Sequence, residues 1–310
     1  MGLTGSTVLG PGTPLESSLT FTPLGIRFWD LTQNLAVDDG LAVNLRLTNS
    51  NAPPLNAVRT RSGIYAFFGL PGLRAAEHPS PAGYGPPRTF RYVVTVQDSL
   101  GRYLPAVLVY TLDETGAILV NGAPDTTAGP RVAHLFSSVA RAVPAGVGAI
   151  RADLQDQDAD QPAAWAVVRA QIAGQPETWT GIADQSGQVL LLVPYPVMQS
   201  LQLGSPPGTG QGNIAGQSWA VTIEVLYSPS QLTFPAASFQ DIQWPWPQTP
   251  SLKDILGTQQ TATIWASPSL GATQFSGQLK FGADLILSSA AGSPPSIGST
   301  LIISRATSPP

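Results

Sequence analysis

The sequence predicts an all-β protein made of two tandem antiparallel β-sandwiches of immunoglobulin-like or transthyretin-like type, followed by a C-terminal extension of a short helix and a β-hairpin. The main observation is a stretch that occurs twice. RTRSGIYAFFGLP begins at Arg59 and GIADQSGQVLLLVP begins at Gly181, and their Ser-Gly pairs are 124 positions apart. Each copy places a Ser-Gly turn before a run of apolar residues and ends at a proline. This pattern is typical of a tight turn that leads into a buried strand.

Alternation and composition favour the same fold class. Residues 41–47 (LAVNLRL) and 219–225 (WAVTIEV) alternate apolar with small or polar residues, as strands do when one face lies on a core. The 310 residues include 31 glycines and 30 prolines, and only 11% are charged, against about 25% in an average domain. Such a chain is rich in turns and strands. Burial in a larger assembly would explain the low charge of its surface.

The first sandwich is predicted over residues 21–120, after a flexible arm at 1–20 that is rich in glycine, serine, threonine and proline. Residues 79–87 are rich in proline and glycine, and they form a loop because proline cannot donate to a sheet ladder. Strands follow at 92–96 and 103–112, joined by an Asp-containing turn.

A linker at 121–147 leads to the second sandwich, predicted over residues 148–240. When the first unit is moved forward by 124 positions, Ile26 coincides with Ile150 and the two Ser-Gly pairs coincide. The constant offset predicts that one β unit was duplicated. Strands of the second sandwich are expected at 150–154, 165–170, 189–193 and 219–225.

The C-terminal extension, 241–310, does not repeat the pattern. Thr249 and Pro250 predict a helix with a threonine N-cap and proline at its first position, and Gly257 ends it. About 70 residues are few for an independent core, so the extension is expected to pack on the second sandwich or on another chain. Candidate interface anchors are two tryptophans flanked by prolines and three apolar residues of the helix: Trp244, Trp246, Leu252, Ile255 and Leu256.

Composition excludes several classes of function. The chain has no cysteine, which excludes disulfides, thiolate metal sites and a cysteine nucleophile. A net charge of -4 and only two lysines argue against binding of nucleic acid. The sequence has no apolar run of about 20 residues and no signal peptide at its start. We therefore expect assembly in the cytoplasm without insertion into a membrane.

Few residues suggest chemistry. His78 and His134 are the only histidines, and neither has the partner spacing of a zinc or catalytic site. Asp156, Asp158 and Asp160 stand at alternate positions, as carboxylates do in calcium loops, but the glycine and distal glutamate of an EF-hand are missing. A solvated turn is the alternative. We predict no catalytic residue, no cofactor and no resident metal.

An enzyme that uses carboxylates alone is the rival class. A glycoside hydrolase could pair two carboxyl groups such as those of Asp98 and Glu114. The sequence does not bring any particular two to the required separation.

Four longer stretches carry a resemblance to a known family. They are SGIYAFFGLPGL at 62–73, GRYLP at 101–105, LFSSVARAVPAG at 135–146 and GIADQSGQVLLLVPYP at 181–196. Together they resemble a family of β-sandwich proteins encoded with phage-tail-like contractile injection systems. The second unit is also similar to the carboxypeptidase-regulatory-like domain, a non-catalytic β-sandwich. The resemblance covers most of residues 26–305.

The resemblance implies a structural subunit of a tail-like particle, with no catalytic residue to carry over. Its partners would be other particle subunits or copies of itself, bound through the sandwich faces and the C-terminal extension. It would assemble in the cytoplasm and then belong to an intracellular or released particle. The alternative function is a surface adhesin or carbohydrate-binding module with exposed tryptophan and calcium at Asp156 to Asp160.

Overall fold

The computed structural model describes residues 24–50, 52–73, 88–125, 127, 129–196, 216–239, 246–267, 270–289 and 300–305. The described residues form two β-sandwiches with little helix, as the sequence predicts. Among them, no helix has the length and apolar character needed to cross a bilayer. The predicted arm at 1–20, the predicted loop at 79–87, His78 and Trp244 lie outside the described residues.

The first sandwich packs two sheets face to face. Sheet 1 has the order β11-β1-β6-β5, and β2 also pairs with β1. Its strands are β1 (Leu24–Asp30), β2 (Leu35–Val37), β5 (Val58–Arg59), β6 (Tyr65–Phe67) and β11 (Arg131–Leu135). Sheet 2 has the order β10-β9-β8-β7-β3-β4. Its strands are β3 (Leu41–Leu47), β4 (Leu55–Asn56), β7 (Thr89–Asp98), β8 (Ala106–Asp113), β9 (Ile118–Val120) and β10 (Ala123–Pro124).

Period-two alternation explains how β1 contributes alternate side chains to this core. Leu24, Ile26 and Phe28 are fully buried between the sheets, whereas Arg27 and Trp29 point to the outer face. Such a strand offers one apolar face to the core and one mixed face to the outside. The facing sheet supplies buried residues in the same way, including Leu45, Tyr92 and Val94.

The second sandwich also has two sheets. Sheet 3 has the order β13-β12-β22-β18-β19, and β16 and β21 pair with β12 as well. Its strands are β12 (Val147–Asp156), β13 (Gln161–Pro162), β16 (Gln188–Pro194), β18 (Thr263–Ser267), β19 (Leu270–Ala272), β21 (Leu285–Ile286) and β22 (Thr300–Ser304). Sheet 4 has the order β15-β14-β17-β20. Its strands are β14 (Val167–Ile172), β15 (Thr178–Ile182), β17 (Ser218–Leu226) and β20 (Phe275–Lys280).

The two sandwiches repeat the same pairings. β1 pairs with β6 antiparallel as β12 does with β16, and β3 pairs with β7 as β14 does with β17. β8 and β20 occupy equivalent places beside β7 and β17. This shared order supports the duplication predicted from the 124-residue offset. Three pairings depart from the antiparallel expectation, because β11 runs parallel to β1, and β21 and β22 run parallel to β12.

The repeated Ser-Gly pair forms the same turn in both sandwiches. Gly63 and Gly187 have positive φ angles of 72° and 77°, which glycine adopts without steric cost. A Cβ atom on Gly187 would stand 2.4 Å from the carbonyl oxygen of Leu154. The turn therefore requires glycine in the second sandwich both for its backbone angle and for the space beside β12.

The strands described within the C-terminal segment belong to the second sandwich. Leu279, Leu301 and Ile303 are fully buried in the same core as Val189 and Ile223. β20 and β22 are thus neighbours of β17 and β12 and complete both sheets. The predicted boundary at 240 differs from the structure because these long-range pairings leave no local mark in the sequence. The boundary at 120 differs for the same reason, since β11 lies beyond it.

The predicted helix is present as α1 (Leu252–Gly257), but it starts later than expected. Ser251 is its N-cap residue, two positions after Thr249, and Pro250 precedes the helix. The residues between β17 and β18 also contain 3-10 turns at Pro229–Gln231, Pro235–Ser238 and Trp246–Gln248. We call residues 227–239 and 246–262 the crossing segment, because they leave the second sandwich and pack against the first.

Candidate functional site: strand-end latches and the junction

A buried ion pair closes the end of β1. The carboxylate of Asp30, the last residue of β1, is 2% exposed. Its Oδ1 accepts hydrogen bonds from the amides of Thr32 (2.9 Å) and Gln33 (3.3 Å). Its Oδ2 accepts from the hydroxyl of Tyr103 at 2.8 Å and from the guanidinium of Arg141. We call Asp30, Tyr103 and Arg141 the first latch.

Arg141 is held on several sides. It follows β11, donates to the hydroxyl of Ser137 at 3.0 Å, and places its guanidinium 4.9 Å from the centre of the Tyr103 ring. Burial, and then the hydrogen bond to Asp30, raise the pKa of Tyr103 well above its usual value. Since both charges are buried and hydrogen-bonded, removal of either partner would leave the other uncompensated.

The second sandwich has a charged contact at the equivalent place, which we call the second latch: Asp156, Asp158 and Arg305. Asp156 ends β12 and is fully buried, and Arg305 directly follows β22. A guanidinium nitrogen of Arg305 lies 4.0 Å from Asp156 Oδ2. The amide of Arg305 donates to Asp158 Oδ2 at 2.8 Å. The second latch is looser than the first, because Arg305 is 43% exposed and Asp156 Oδ2 has no hydrogen-bond partner.

The charge of the second latch affects the pKa of Tyr227. Burial, and then the negative charge of Asp156, raise the pKa of Tyr227 to about 12. The phenol therefore stays neutral over the physiological pH range. The arrangement parallels Tyr103 beside Asp30 in the first sandwich.

The three candidate calcium ligands do not converge. Asp158 faces Arg305, whereas Asp160 Oδ1 accepts a hydrogen bond from the side-chain Nε2 of Gln155 at 3.2 Å. Asp156 Oδ1 accepts from the amide of Asp158 at 3.0 Å. Within the described ranges, no group of three or more His, Cys, Asp or Glu side chains could hold a metal ion. These residues serve the turn and the latch instead.

The carboxylates considered for glycoside hydrolysis lie at opposite ends of β8. Asp98 is the last residue of β7, and Glu114 follows Asp113, which pairs with Thr89 at the other end of β7. The length of β7 therefore separates the two by roughly 30 Å. The carboxylate of Asp98 also accepts hydrogen bonds from the side chain and amide of Arg102. Burial alone would raise the pKa of Asp98, but these hydrogen bonds outweigh it and the pKa is lowered. Asp98 thus forms a structural ion pair with Arg102.

His134 lies on β11, opposite Trp29 of β1. Burial lowers its pKa, which favours the neutral imidazole. Its Nδ1 is buried without a hydrogen-bond partner. No carboxylate partner is placed to turn this imidazole into a base in the part of the chain that the structure describes.

An apolar junction fixes the two sandwiches to each other. Leu104 of the first sandwich and Phe136 of the linker meet Trp165 and Leu226 of the second, and α1 adds Leu252. Before α1 in the crossing segment, Ala236, Phe239 and Trp246 pack on Val93 and Val107 of sheet 2. The crossing segment therefore joins the sandwiches into one packed body.

The structure separates the candidate interface anchors. Leu252 and Ile255 are buried in the junction, at 7% and 3% exposure, so they contact this chain and not a partner. Trp246 is half-buried on sheet 2. Leu256 is 39% exposed and remains accessible. Sequence reasoning missed the latches, although an aspartate before each of two similar turns was a visible signal.

Two of the four stretches that carry the family resemblance meet at the junction. Leu104, from GRYLP, donates its amide to the carbonyl of Phe136, from LFSSVARAVPAG, at 2.9 Å. Tyr103 and Arg141, from the same two stretches, form the first latch. These two stretches therefore lie at the joint between the sandwiches.

No family model matches this sequence, and no curated protein matches it. Solved structures of pilus proteins show a distant likeness. One is a C-terminal fragment of the pilus adhesin SpaC from Lactobacillus rhamnosus GG, with 10% identity, 91% of this chain and 96% of that chain covered, and a TM-score of 0.21. The shaft pilin SpaA from the same organism has 8% identity, coverage of 93% and 98%, and a TM-score of 0.22.

A Streptococcal ancillary pilin is similar at the same level, with 9% identity, 91% of this chain and 69% of that chain covered, and a TM-score of 0.22. At these identities and TM-scores, the likenesses carry no argument about topology, partners or activity. The class of the protein rests on its own geometry: an all-β chain of two sandwiches joined by a packed junction.

Proposed function

We propose that this chain is a non-catalytic structural protein that enters a larger protein assembly as one preformed two-sandwich body. The observation that carries the proposal is the use of its buried charges. Asp30, Asp98 and Asp156 are buried at strand ends, and each faces an arginine. Charges of this kind fix strands in place, whereas catalytic groups stand where a substrate can reach them.

The particle that fits best is a phage-tail-like contractile injection system assembled in the cytoplasm. The resemblance stretches supply this part of the proposal. The contact between two of them at the junction supports it, because a subunit needs a fixed angle between its two sandwiches. A surface with few charges loses little solvation free energy when neighbouring subunits cover it. The partners are other particle subunits or further copies of the chain.

Electron cryomicroscopy tests this proposal directly. Particles purified through an affinity tag on this chain should show density for both sandwiches. In cells that carry Leu256→Glu, the occupancy of this density should fall, because a charge replaces an exposed apolar contact on α1. Leu100→Glu, at a 60% exposed residue in a turn of the first sandwich, is the matched control and should leave the occupancy unchanged.

The outcome that contradicts the proposal is a tagged chain that stays monomeric and is absent from every large particle. Loss of a specific enzymatic turnover on replacement of Asp98 or Glu114 would also contradict it. The first result would contradict membership of an assembly. The second would support a glycoside hydrolase instead.

A surface adhesin that binds carbohydrate is the second candidate, favoured by one observation. An open cleft of about 660 Å³ lies between one end of the β3–β7 pair and the crossing segment. Its lining combines Phe90 and the 40% exposed Phe234 with the polar side chains of Thr48, Arg91 and Ser238. Aromatic surface beside hydrogen-bonding groups suits a small polar ligand. Glycan-array binding that Phe234→Ala abolishes and Leu270→Ala retains would favour the adhesin.

A further inference from the structure

The first and last strands of each sandwich lie side by side and run parallel. In the first sandwich, β1 pairs with β11 from Ile26↔Arg131 to Asp30↔Leu135. In the second, β12 pairs with β22 from Asp153↔Thr300 to Asp156↔Ile303. The strand by which the chain enters each sandwich is therefore bonded directly to the strand by which it leaves.

This arrangement determines how the sandwiches respond to tension. Tension along the chain pulls β1 toward its N-terminal end and β11 toward its C-terminal end. The two strands then slide past each other, and the ladder bonds between them are loaded together. A hairpin pulled at its open ends breaks its ladder one bond at a time instead. The remaining strands of each sandwich lie off the direct path of the force.

The latches stand where they oppose this sliding. Asp30 ends β1, and its partner Arg141 lies beyond β11 on the side toward which β11 would move. Asp156 ends β12, and Arg305 lies directly beyond β22. Movement of either last strand has to break the charged contact as well as the ladder. The same device thus occurs at the same place in both sandwiches.

The structure assigns a mechanical role to this chain: it carries tension from residue 24 to residue 304 through two parallel-strand ladders in series, each secured by a latch. This role goes beyond the proposed function, since a particle subunit and an adhesin could both use it. The first sandwich is the weaker link. β11 is an edge strand and its departure breaks one ladder, whereas β22 lies between β12 and β18 and its departure breaks two.

Single-molecule force spectroscopy on the full chain tests the assignment. With handles at the two ends, stretching should give two unfolding events, which release roughly 400 Å for residues 24–135 and roughly 550 Å for residues 147–304. The shorter release should occur at the lower force. The measurement requires only the purified chain, so its failure is distinguishable from absence of a particle.

A second pulling direction in the same protein supplies the control. The sequence has no cysteine, so Arg88→Cys and Glu114→Cys create unique handles at the open end of the β7–β8 hairpin, beside the Thr89↔Asp113 pair. This pair of handles should unzip the hairpin at a clearly lower force than the end-to-end pull at the same loading rate. Equal or lower force in the end-to-end direction overturns the assignment.

Variants then test the latch. Arg141→Met should lower the rupture force of the first event and leave the second unchanged. Leu45→Ala, in the core of the same sandwich but outside the β1–β11 ladder, is the matched control and should lower that force less at a similar loss of stability to denaturant. The reverse ranking overturns the role of the latch. If the Arg141→Met variant does not fold, Arg305→Met is the alternative, at a side chain that is 43% exposed. It should lower the rupture force of the second event alone. An unchanged rupture force of the second event overturns the role of the latch.

Discussion

The two sandwiches share their main strand pairings but differ in the connection between two equivalent strands. In the first sandwich, β7 passes to its neighbour β8 through residues 99–105. In the second, the equivalent strands β17 and β20 are separated by residues 227–274, which contain the crossing segment, β18 and β19. The difference shows how a duplicated unit can acquire a joint. A longer connection in one copy became the surface that packs on the other.

Because of the same difference, the second sandwich depends on a longer part of the chain than the first. The strands of the first sandwich come from residues 24–135, whereas those of the second extend from residue 147 to residue 304. The second also donates Ala236 and Phe239 to the face of the first. We therefore expect changes at the C-terminal end to damage the second sandwich first, and the following predictions test that asymmetry in order of effect.

Deletion of residues 241–310 should abolish the second sandwich. It removes β18, β20 and β22, and with them Leu279, Leu301 and Ile303 from the core, so the lost burial exceeds the net stability of about 5–15 kcal/mol that a domain has. Amide hydrogen exchange should find β12 and β14 unprotected and β3 and β7 still protected. Protected amides in β14 would show that the sandwiches are less unequal than described here.

Asp30→Ala should destabilise the first sandwich by about 3–5 kcal/mol, because it leaves Arg141 buried and unpaired. Asp156→Ala should cost only about 1 kcal/mol, because Arg305 can turn to solvent and the lost contact is long. Denaturant unfolding followed by tryptophan fluorescence measures both. Equal losses would mean that the two latches are equivalent in strength.

Leu252→Ala should cost about 2–4 kcal/mol, since it opens a cavity in the junction. Leu256→Ala, on the exposed side of the same helix, is the control and should stay within about 0.5 kcal/mol. Calorimetry should also show the unfolding transitions of the two sandwiches moving apart in Leu252→Ala. A single unshifted transition would contradict the role of the junction.

Acid should affect the first sandwich through Asp98. Its pKa in the folded protein is below the ordinary value of 3.8, so its contribution to stability is present above that value and is lost as the pH falls through the folded pKa. Asp98→Asn should therefore flatten the loss of stability below about pH 4. Unfolding curves at several pH values measure this slope, and an unchanged slope would contradict the prediction.

The strands and turns that a local pattern of residues determines could be predicted from the sequence. LAVNLRL at 41–47 coincides with β3, and 219–225 falls within β17 (Ser218–Leu226), because period-two alternation reports directly on which side chains are buried. The two Ser-Gly turns were identified for a similar reason, since positive φ selects glycine.

Strand pairings and ion pairs between residues that are far apart in the chain could not be predicted from local sequence patterns. Nothing near residue 300 indicates that β22 joins β12, and Asp30 and Arg141 are 111 positions apart. Leu252 and Ile255 were interpreted as anchors for a partner, yet the crossing segment folds them into the junction. An amphipathic pattern indicates that a residue is buried, but it does not indicate which surface covers that residue.

The pairing of β12 with β22 also sets an order of events during synthesis. The first sandwich can close once residue 135 has left the ribosome, whereas β12 waits for residue 300 before it finds its parallel neighbour. At about 5–20 residues per second, that wait lasts on the order of 10 to 30 s. During it, the inner face of β12 is incompletely covered and open to chaperones or proteases. A chain that stops early never covers it, so unfinished copies can be recognised and removed before they reach an assembly.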